Sequence, residues 1–330
     1  MMIVYDGIIN SLQSHGGISV LFHELNKRMA KNSARYYVYN EMNNVGSNAF
    51  LLSPRILERY RKFNIKLNEN DIFHSTYYRL PQSNTTVVTT VHDFTYEKYI
   101  GGIAAKVHSH QKNNAILNSD KIICVSNNTA EDLLRYCRVP ESKIAVVYNG
   151  VSDDYYPLNL ECQDYVVFVG SRVSYKNFSM VVSAVSRFKD LKLVIVGGGK
   201  LTAYEACMLE EKLKGRFEVT GILSNKELNV VYNQAIALAY PSEYEGFGIP
   251  VIEAQKSGCP VIALNRSSIP EIAGSAAVLL EQADENNIYD AIQMLLYSDF
   301  RKQLLNLGFE NAKRFSWDKC FKETQLIYSK

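Results

Sequence analysis

The sequence lacks the features that mark membrane, secreted and disulfide-rich proteins. No apolar run reaches about 18 residues, so we expect no transmembrane helix. The first residues show no basic region followed by an apolar stretch, so we expect no signal peptide. The six cysteines form no CxxC pair, and several lie in apolar runs. This pattern favours reduced thiols in a cytosolic protein over zinc ligands or disulfides.

The sequence also has little net charge and few candidate metal ligands. The 36 Lys and Arg residues nearly balance the 34 Asp and Glu residues, for a formal net charge of +2. So small a balance argues against a dedicated nucleic-acid binder. The sequence contains no Asp-x-Asp pair for magnesium, and His108 and His110 have no third ligand nearby. We therefore predict no metal site.

What the sequence does have is a regular alternation of short apolar runs and amphipathic stretches. Such alternation is typical of an α/β protein with a parallel sheet covered on both faces. The pattern breaks at Asn149–Leu160, where turn residues and Pro157 stand, and then begins again. We predict two doubly wound Rossmann-like domains, at 1–157 and 158–312. The residues 313–330 form a final helix with an apolar stripe, which we expect to pack on the first domain.

The stretch Tyr240–Ala254 contains the first candidate site. A buried strand ends at Tyr240, two glycines follow, and a helix begins near Pro250. The amides of that first helical turn suit an anion or a sugar hydroxyl, because the glycines let a ligand approach closely. Glu245 and Glu253 bracket the loop, with seven residues between them. A strand-to-helix turn with two surface glutamates explains the same pattern equally well.

Two cations follow the first strand of the second domain. Gly170 ends this strand, and Arg172 and Lys176 come next. The planar fork of arginine and the point charge of lysine suit a diphosphate. The alternative is a loop with two solvated cations.

The first domain offers weaker signals. Gly16 and Gly17 begin a helix and suit either a phosphate or a tight turn, and no GxGxxG indicates a nicotinamide dinucleotide. His92 follows the strand that ends at Val91, although a lone histidine is more often a structural hydrogen-bonder. Residues Pro54–Phe63 predict a basic helix. Its cations form a solvated face or, alternatively, meet an anionic membrane.

The block Glu245-x7-Glu253 lies within Pro-Ser-x-Tyr-Glu-Gly-Phe-Gly-Ile-Pro-x-x-Glu-Ala. This block resembles the signature of retaining glycosyltransferases of family 4, which have the GT-B fold of two Rossmann-like domains facing a cleft. Supporting matches extend over nearly the whole chain, at Gly16-Gly17, Val91-His92-Asp93, Val125-Ser126, Asn149-Gly150-Val151, Gly170-x-Arg172-x3-Lys176-Asn177, Ser268-Ile269-Pro270-Glu271 and Phe315-Ser316-Trp317.

The resemblance implies a role for each matching position. Glu245 and His92 would be catalytic, both beside the donor sugar. The other matching residues would bind the donor. The backbone amides of Gly16 and Gly17 would contact the diphosphate, and those of Phe247 and Gly248 would contact the sugar or phosphate. Arg172 and Lys176 would neutralise the diphosphate. Glu253 would bind the ribose, and Ile222, within Gly221–Leu223, would hold the base.

The resemblance also implies a mechanism. Family members retain the anomeric configuration by front-face attack within an ion pair, and the leaving diphosphate helps to take the acceptor proton. A covalent intermediate on Glu245 is the less favoured route. Neither a metal nor a cofactor is implied, because the nucleotide sugar is a substrate.

A finer likeness concerns Tyr5–Ile8, Phe73–Tyr78 and Tyr175–Phe178, which resemble bacterial enzymes that build O-antigen or capsule, many of them mannosyltransferases. It implies transfer of mannose from GDP-mannose to a growing, lipid-linked surface glycan in lipopolysaccharide biosynthesis. The protein would be cytoplasmic or peripheral on the inner membrane's cytoplasmic face. The helix around His108 is less basic than this likeness suggests, which leaves membrane attachment open.

Several alternatives remain. The donor would otherwise be dTDP-rhamnose or a UDP-sugar. The alternatives to a transferase are a GT-B epimerase, a phosphorylase and a non-catalytic sugar-nucleotide binder, and the two acids and two cations argue against the last. We expect acceptor contacts in the first half of the chain, among loops such as Asn43–Leu52 and His74–Ser83.

Overall fold

The structure is a computed structural model, and it describes residues 1–13, 16–39 and 48–329. Asn43, at the start of one predicted acceptor loop, lies outside the described residues. The chain folds as two compact units, one formed by Met1–Gly150 with Ser316–Lys330 and the other by Val151–Phe315.

The division between the units comes earlier than the predicted boundary at 157/158. Residues after Gly150 already pack on the second unit, because three asparagines of one helix bind them. The Tyr155 hydroxyl donates to Asn225 at 3.3 Å, and the backbone amide of Tyr156 donates to Asn229 at 3.2 Å. At the other end, Phe315 packs edge-on against Phe247 at 5.8 Å, so the chain leaves the second unit after 315 and not after 312.

The first unit is built on a parallel sheet. Its strands are β1 (Ile3–Tyr5), β2 (Ala34–Tyr39), β3 (Ala49–Leu52), β4 (Ile72–Ser75), β5 (Thr86–Val91), β6 (Lys121–Cys124) and β7 (Ile144–Val146). In the described part of the chain their order is β3-β2-β1-β4-β5-β6-β7, and Ile3 of β1 pairs with Ala34 on one side and Ile72 on the other. The order reverses between β1 and β4, which is where open α/β sheets bind their ligands.

Helices cover this sheet. They are α1 (Ile9–Leu12), α2 (Gly17–Arg28), α3 (Thr95–Tyr99), α4 (Gly102–Leu117) and α5 (Asn127–Tyr136). In α2 the helical spacing of Leu21, Phe22 and Leu25 puts all three side chains in the core, with at most 4% of each exposed. Ser126 caps α5 by accepting a hydrogen bond from the amide of Thr129 at 3.0 Å.

The second unit repeats the arrangement. Its strands are β8 (Tyr165–Val169), β9 (Lys192–Val196), β10 (Phe217–Gly221), β11 (Ala237–Tyr240), β12 (Val261–Leu264) and β13 (Val278–Leu280). Their order in the described residues is β10-β9-β8-β11-β12-β13, again parallel throughout. The central strands are apolar on both faces, as expected for a sheet covered on both sides. The predicted α/β class, with two doubly wound Rossmann-like domains, is confirmed.

The helices of the second unit have clear sequence signals at their ends. They are α6 (Phe178–Ser186), α7 (Ala203–Leu213), α8 (Asn225–Gln234), α9 (Ile249–Ser257), α10 (Ile269–Ala273), α11 (Glu285–Leu295) and α12 (Ser298–Ala312). Capping boxes begin two of them, with Thr202 and Glu205 at α7 and Ser224 and Glu227 at α8. Gly258, in the left-handed region at φ 79°, ends α9.

The last helix, α13 (Trp317–Tyr328), packs in the first unit against α2. Trp317, Cys320 and Tyr328 are buried in the same core as Tyr5. The Tyr328 hydroxyl lies 3.0 Å from the Tyr5 hydroxyl and also bonds to Nδ1 of the buried His74.

The predicted basic helix at Pro54–Phe63 is wrong. Only Glu58–Tyr60 is helical there, as a single 3-10 turn that follows Leu57 in the left-handed region at φ 58°. The Glu58 carboxylate organises the segment: it accepts hydrogen bonds from the amide and guanidinium of Arg55, and from the buried Arg79 at 2.5 Å. A buried ion pair with a distant residue therefore overrides the local helical pattern.

Candidate active site

The carboxyl ends of β8 and β11 meet at the centre of the second sheet. The two strands pair in parallel, with Val166 beside Ala237 and Val167 beside Leu238. The strand order reverses between them, so the loops that follow both strands leave the same edge at the topological switch point. The loop after β8 carries Arg172 and Lys176, and the loop after β11 carries Glu245.

The structure brings two of the predicted residues into direct contact. Lys176 Nζ lies 2.9 Å from Glu245 Oε1, and the side chains are 12% and 16% exposed. The same ammonium lies 5.3 Å from the ring centroid of Tyr240, the last residue of β11. A mostly buried ion pair beside the Tyr240 ring therefore lies at the switch point.

Hydrogen bonds hold the loop that carries Glu245 from two sides. On one side, the Ser268 hydroxyl lies 2.8 Å from the carbonyl oxygen of Glu245 and 2.9 Å from that of Phe247, and the amide of Glu245 donates to Ser267 at 3.0 Å. On the other side, Asn177 Nδ2 donates to the Pro241 carbonyl at 3.0 Å. The loop is therefore positioned before any ligand arrives. The sequence matched Asn177 and Ser268 to the family pattern without revealing these supporting roles.

Gly248 shows why the loop needs a glycine before α9. Its φ of 98° lies in the region that side chains disfavour, and a Cβ there would come 2.8 Å from Ile269 Cδ1. The neighbouring Phe247 side chain is only 5% exposed and packs on Phe315. Its ring therefore serves the core, and the backbone contact expected of Phe247 and Gly248 stays a prediction.

Glu253 lies within α9 in a poorly hydrated environment. The Tyr232 hydroxyl donates to Glu253 Oε2 at 3.2 Å. Burial raises the pKa of this carboxyl to about 7, and the hydroxyls of Tyr155 and Tyr232 offset only part of that effect. Burial raises the pKa of Tyr240, and the carboxylates of Glu245 and Glu253 raise it further. The ribose contact predicted for Glu253 is not tested by the structure.

Arg172 has a different environment from Lys176. Its guanidinium donates to the carbonyls of Gly197, Gly198, Gly199 and Lys200 at 2.9 to 3.3 Å, and Nε donates to Glu205 at 2.8 Å. The three glycines have φ of 73° to 75°, a left-handed turn that directs these carbonyls at one cation. The Arg172 side chain is 3% exposed. In this structure it organises the glycine turn, and the diphosphate contact stays a prediction.

Ile222 follows the edge strand β10. Its side chain is 74% exposed, which is unusual for isoleucine, and Gly221 before it is left-handed at φ 72°. An exposed apolar side chain at a strand's carboxyl end is available to a ligand. The predicted contact with the base remains a prediction.

In the first unit, His92 stands directly after β5 and is 9% exposed. Burial lowers its pKa to about 4, so the imidazole is neutral at physiological pH. Its Nε2 is buried without a hydrogen-bond partner among the described residues. Phe22 of α2, the helix that Gly16 and Gly17 begin, lies edge-on to the ring at 6.3 Å. This neutral ring is suited to one hydrogen bond with a polar ligand.

Gly16 has an extended backbone with φ of 172°, a conformation that any residue adopts. Neither it nor Gly17 shows backbone strain that demands glycine, so their predicted contact with a diphosphate rests on the family pattern. Within the described ranges, no three His, Cys, Asp or Glu residues are grouped as a metal would require.

Family models cover almost all of the chain. Residues 158–314 match the model of group 1 glycosyl transferases, and residues 15–155 match that of glycosyltransferase family 4. The chain belongs to glycosyltransferase family 4. It is therefore a transferase, and the family predicted from the Glu245–Glu253 block is confirmed.

Curated relatives of this family 4 chain include two O-antigen mannosyltransferases. O-antigen chain mannosyltransferase B of Escherichia coli is 24% identical over 313 residues, covering 83% of this chain and 80% of the relative. O-antigen chain mannosyltransferase RfbU of Salmonella typhimurium is 25% identical over 259 residues, covering 76% and 73%.

Solved glycosyltransferase structures share the fold. WaaG, a glycosyltransferase involved in lipopolysaccharide biosynthesis, superposes with a TM-score of 0.77 at 14% identity and covers 99% of both chains. Anabaena HepE, solved in complex with UDP and glucose, has a TM-score of 0.76 at 12% identity and also covers 99% of both chains. The family 4 chain therefore has the GT-B fold.

The raised pKa of Glu253 makes a prediction about stability. Between the ordinary carboxyl pKa of 4.5 and about 7, folded Glu253 keeps a proton that the unfolded chain releases. The free energy of unfolding of the second unit should therefore fall as pH rises through this range. Glu253→Gln should remove that fall in urea unfolding measured from acid to neutral pH. The matched Glu281→Gln, at an exposed position, should keep it. Equal pH profiles for wild type and Glu253→Gln would contradict the assignment.

Proposed function

We propose that the protein is a retaining, metal-independent glycosyltransferase. It moves mannose from a nucleotide-sugar donor, with GDP-mannose favoured, to a growing, lipid-linked glycan of the bacterial surface. The observation that carries the proposal is the Lys176–Glu245 pair at 2.9 Å, set at the switch point of the second sheet. The two O-antigen mannosyltransferases among the relatives support the choice of sugar and glycan.

The donor's leaving group is a nucleoside diphosphate, so the site must offset growing negative charge. Lys176 is a mostly buried cation that follows the end of β8. The helix α9 begins after Gly248, so the positive end of its dipole lies in the same loop as Glu245. Both stabilise an anion more strongly in a partly desolvated site than in water. On donor binding, Lys176 exchanges the Glu245 carboxylate for the diphosphate. Glu245 is then available to accept hydrogen bonds from the sugar hydroxyls.

The bond changes balance without another reactant. The bond from the sugar C1 to the diphosphate oxygen breaks, and the acceptor hydroxyl oxygen bonds to C1 on the same face. The acceptor proton passes to the departing diphosphate. Because the Glu245 oxygens accept hydrogen bonds from the sugar hydroxyls once Lys176 has moved to the diphosphate, we favour this route over a covalent intermediate on Glu245. His92 would hydrogen-bond the sugar through its unpaired Nε2.

We also propose a peripheral contact with the cytoplasmic face of the inner membrane. No helix in the described residues is long and apolar enough to cross a bilayer. Support for a surface contact comes from Ile56 and Ile103 of the first unit, which are 83% and 82% exposed, and from the exposed cations Arg61 and Lys62 in the same segment as Ile56.

Substitutions at the ion pair test the catalytic assignment. Lys176→Ala and Glu245→Ala should each lower the rate of sugar transfer about 100-fold or more, because each removes a preorganised charge at the reacting centre. Radiolabelled mannose transfer from GDP-mannose to membrane lipid extract measures this. Lys313→Ala, at an exposed ion pair of the same unit, is the control and should leave the rate unchanged. Near-normal transfer by either first variant would overturn the assigned roles. Release of free mannose epimers or dependence on inorganic phosphate would instead indicate an epimerase or a phosphorylase.

Donor identity is tested by thermal unfolding of the full chain with four donors in turn. A ligand that binds only the folded protein stabilises it, and at a fixed ligand concentration the stabilisation increases as Kd decreases. GDP-mannose, the favoured donor, should therefore raise the unfolding temperature most. UDP-glucose, UDP-N-acetylglucosamine and dTDP-rhamnose should have smaller effects. A larger effect from any of the three would assign the donor to that nucleotide. Lys176→Ala should weaken the effect of the true donor.

Membrane contact is tested by sedimentation with vesicles. The protein should bind vesicles that contain phosphatidylglycerol more tightly than vesicles of phosphatidylcholine alone. Ile56→Asp or Ile103→Asp should weaken binding about tenfold, since each removes one exposed isoleucine side chain that would insert into the bilayer. Leu326→Asp, at a 59% exposed position on α13, is the matched control. Equal binding by all variants would place the contact elsewhere or exclude it.

A further inference from the structure

A second group of polar and aromatic side chains lies in the first unit and shares no residue with the donor site assigned above. We call it the tyrosine–arginine cluster, and it consists of Arg59, Tyr60, Tyr77, Tyr96, His108 and Gln111. Tyr77 follows β4, Tyr96 lies in α3 just after β5, and His108 and Gln111 lie on α4. The cluster therefore forms at the carboxyl end of the strands, the edge where this fold binds ligands.

Ring contacts give the cluster a defined shape. Tyr96 stacks on His108 with ring centroids 3.8 Å apart and planes at 21°. The Tyr77 hydroxyl lies 2.9 Å from His108 Nε2. The Arg59 guanidinium carbon lies 5.1 Å from the Tyr77 ring centroid and 5.2 Å from that of Tyr60. Tyr60 is 50% exposed, and Tyr77 and Tyr96 are half-buried, so ring surface remains accessible.

The cluster also contains polar atoms with no hydrogen bond in the protein. Arg59 Nε, His108 Nδ1 and Gln111 Oε1 are all buried without a partner. The side chain of His108 is 5% exposed. Gln111 Nε2 donates to the Arg59 carbonyl at 2.8 Å, which holds the 3-10 turn on α4 and brings these atoms together. Unpaired buried groups cost stability, and a native protein keeps them where something else satisfies them.

The chemistry of the three atoms selects the class of ligand. Arg59 Nε only donates a hydrogen bond, Gln111 Oε1 only accepts one, and His108 Nδ1 does either according to its tautomer. An ionised phosphate only accepts, so it would leave Gln111 Oε1 unpaired. A sugar hydroxyl both donates and accepts. The faces of tyrosine rings pack well on the apolar face of a sugar ring.

The cluster is connected to His92, the residue we place beside the reacting centre. Tyr78, next to Tyr77, hydrogen-bonds the backbone of His92 and packs on His108 with ring centroids 5.7 Å apart. Tyr78 has φ of 56°, a costly conformation for a bulky residue, so the chain between the cluster and His92 is held in a specific arrangement.

We propose that the tyrosine–arginine cluster binds a neutral pyranose ring of the acceptor glycan. The word acceptor rests on the proposed function, whereas binding of the sugar ring does not. Tyr60, Tyr77 and Tyr96 supply ring faces, and Arg59, His108 and Gln111 bind hydroxyls. If the sugar can reach the buried atoms only after part of the protein moves, we expect the loop that carries Arg59 and Tyr60 to move.

The binding experiment uses the full chain and saturation-transfer NMR with the methyl α-glycosides of mannose, rhamnose, glucose and N-acetylglucosamine. At least one should show transfer to its ring protons. Tyr96→Ala, Arg59→Gln and Gln111→Leu should each lower the signal about fivefold, the effect expected for loss of one hydrogen bond or ring contact. Tyr297→Ala, at a 73% exposed tyrosine of the second unit, should leave it unchanged. Thermal unfolding of each variant identifies loss of fold, and Tyr60→Ala, at an exposed ring, is the substitution that folding tolerates best.

Three results would overturn the proposal. They are no signal from any glycoside, signals that the cluster variants leave unchanged, and binding of methyl phosphate in place of the glycosides. The last two would mean that the unpaired atoms hold water only or that the site takes an anion.

Kinetics separates this proposal from the proposed function. In a transfer assay the cluster variants should raise KM for the acceptor about fivefold, with kcat and the donor KM unchanged. Glu245→Ala should abolish transfer and keep glycoside binding. A wild-type protein that binds glycosides through the cluster but transfers no sugar would refute the proposed function alone. Normal transfer with an unchanged acceptor KM in every variant would refute the cluster proposal alone.

Discussion

The parallel pairing of β8 with β11 is the constraint on which the site depends. Neither Lys176 nor Glu245 is close to the other in sequence, and only this pairing puts their loops at one edge of the sheet. The loops then need separate support, which Asn177 supplies on one side and Ser268 on the other. Sheet topology therefore sets the location of the ion pair, and a few side-chain hydrogen bonds set its geometry.

The two cations of the loop after β8 carry the same charge but have different roles in the site. Lys176 meets a single carboxylate and remains available to exchange it for another anion. Arg172 is enclosed by four carbonyls and Glu205, so its charge stabilises a left-handed glycine turn. The planar fork of arginine suits such a multidentate task, whereas lysine suits exchange.

Local patterns in the sequence predicted both sheets, most helices and the Glu245 loop, because apolar runs and glycine turns act over short distances. The prediction failed where distant residues decide. Glu58 bonds to Arg79 and prevents a helix at Pro54–Phe63, and β3 was placed in a loop although it pairs with β2. The tyrosine–arginine cluster could not be predicted for the same reason, because its members come from four segments that only the fold brings together.

The last helix has a consequence for how the protein is made. Trp317, Cys320 and Tyr328 complete a core that otherwise consists of residues from the first half of the chain, such as Tyr5 and Leu21. During synthesis the amino-terminal sheet therefore emerges with an unfilled apolar surface, and the second unit must leave the ribosome before α13 arrives to cover it. The order of synthesis is thus the reverse of the order of completion: the unit that begins first is finished last.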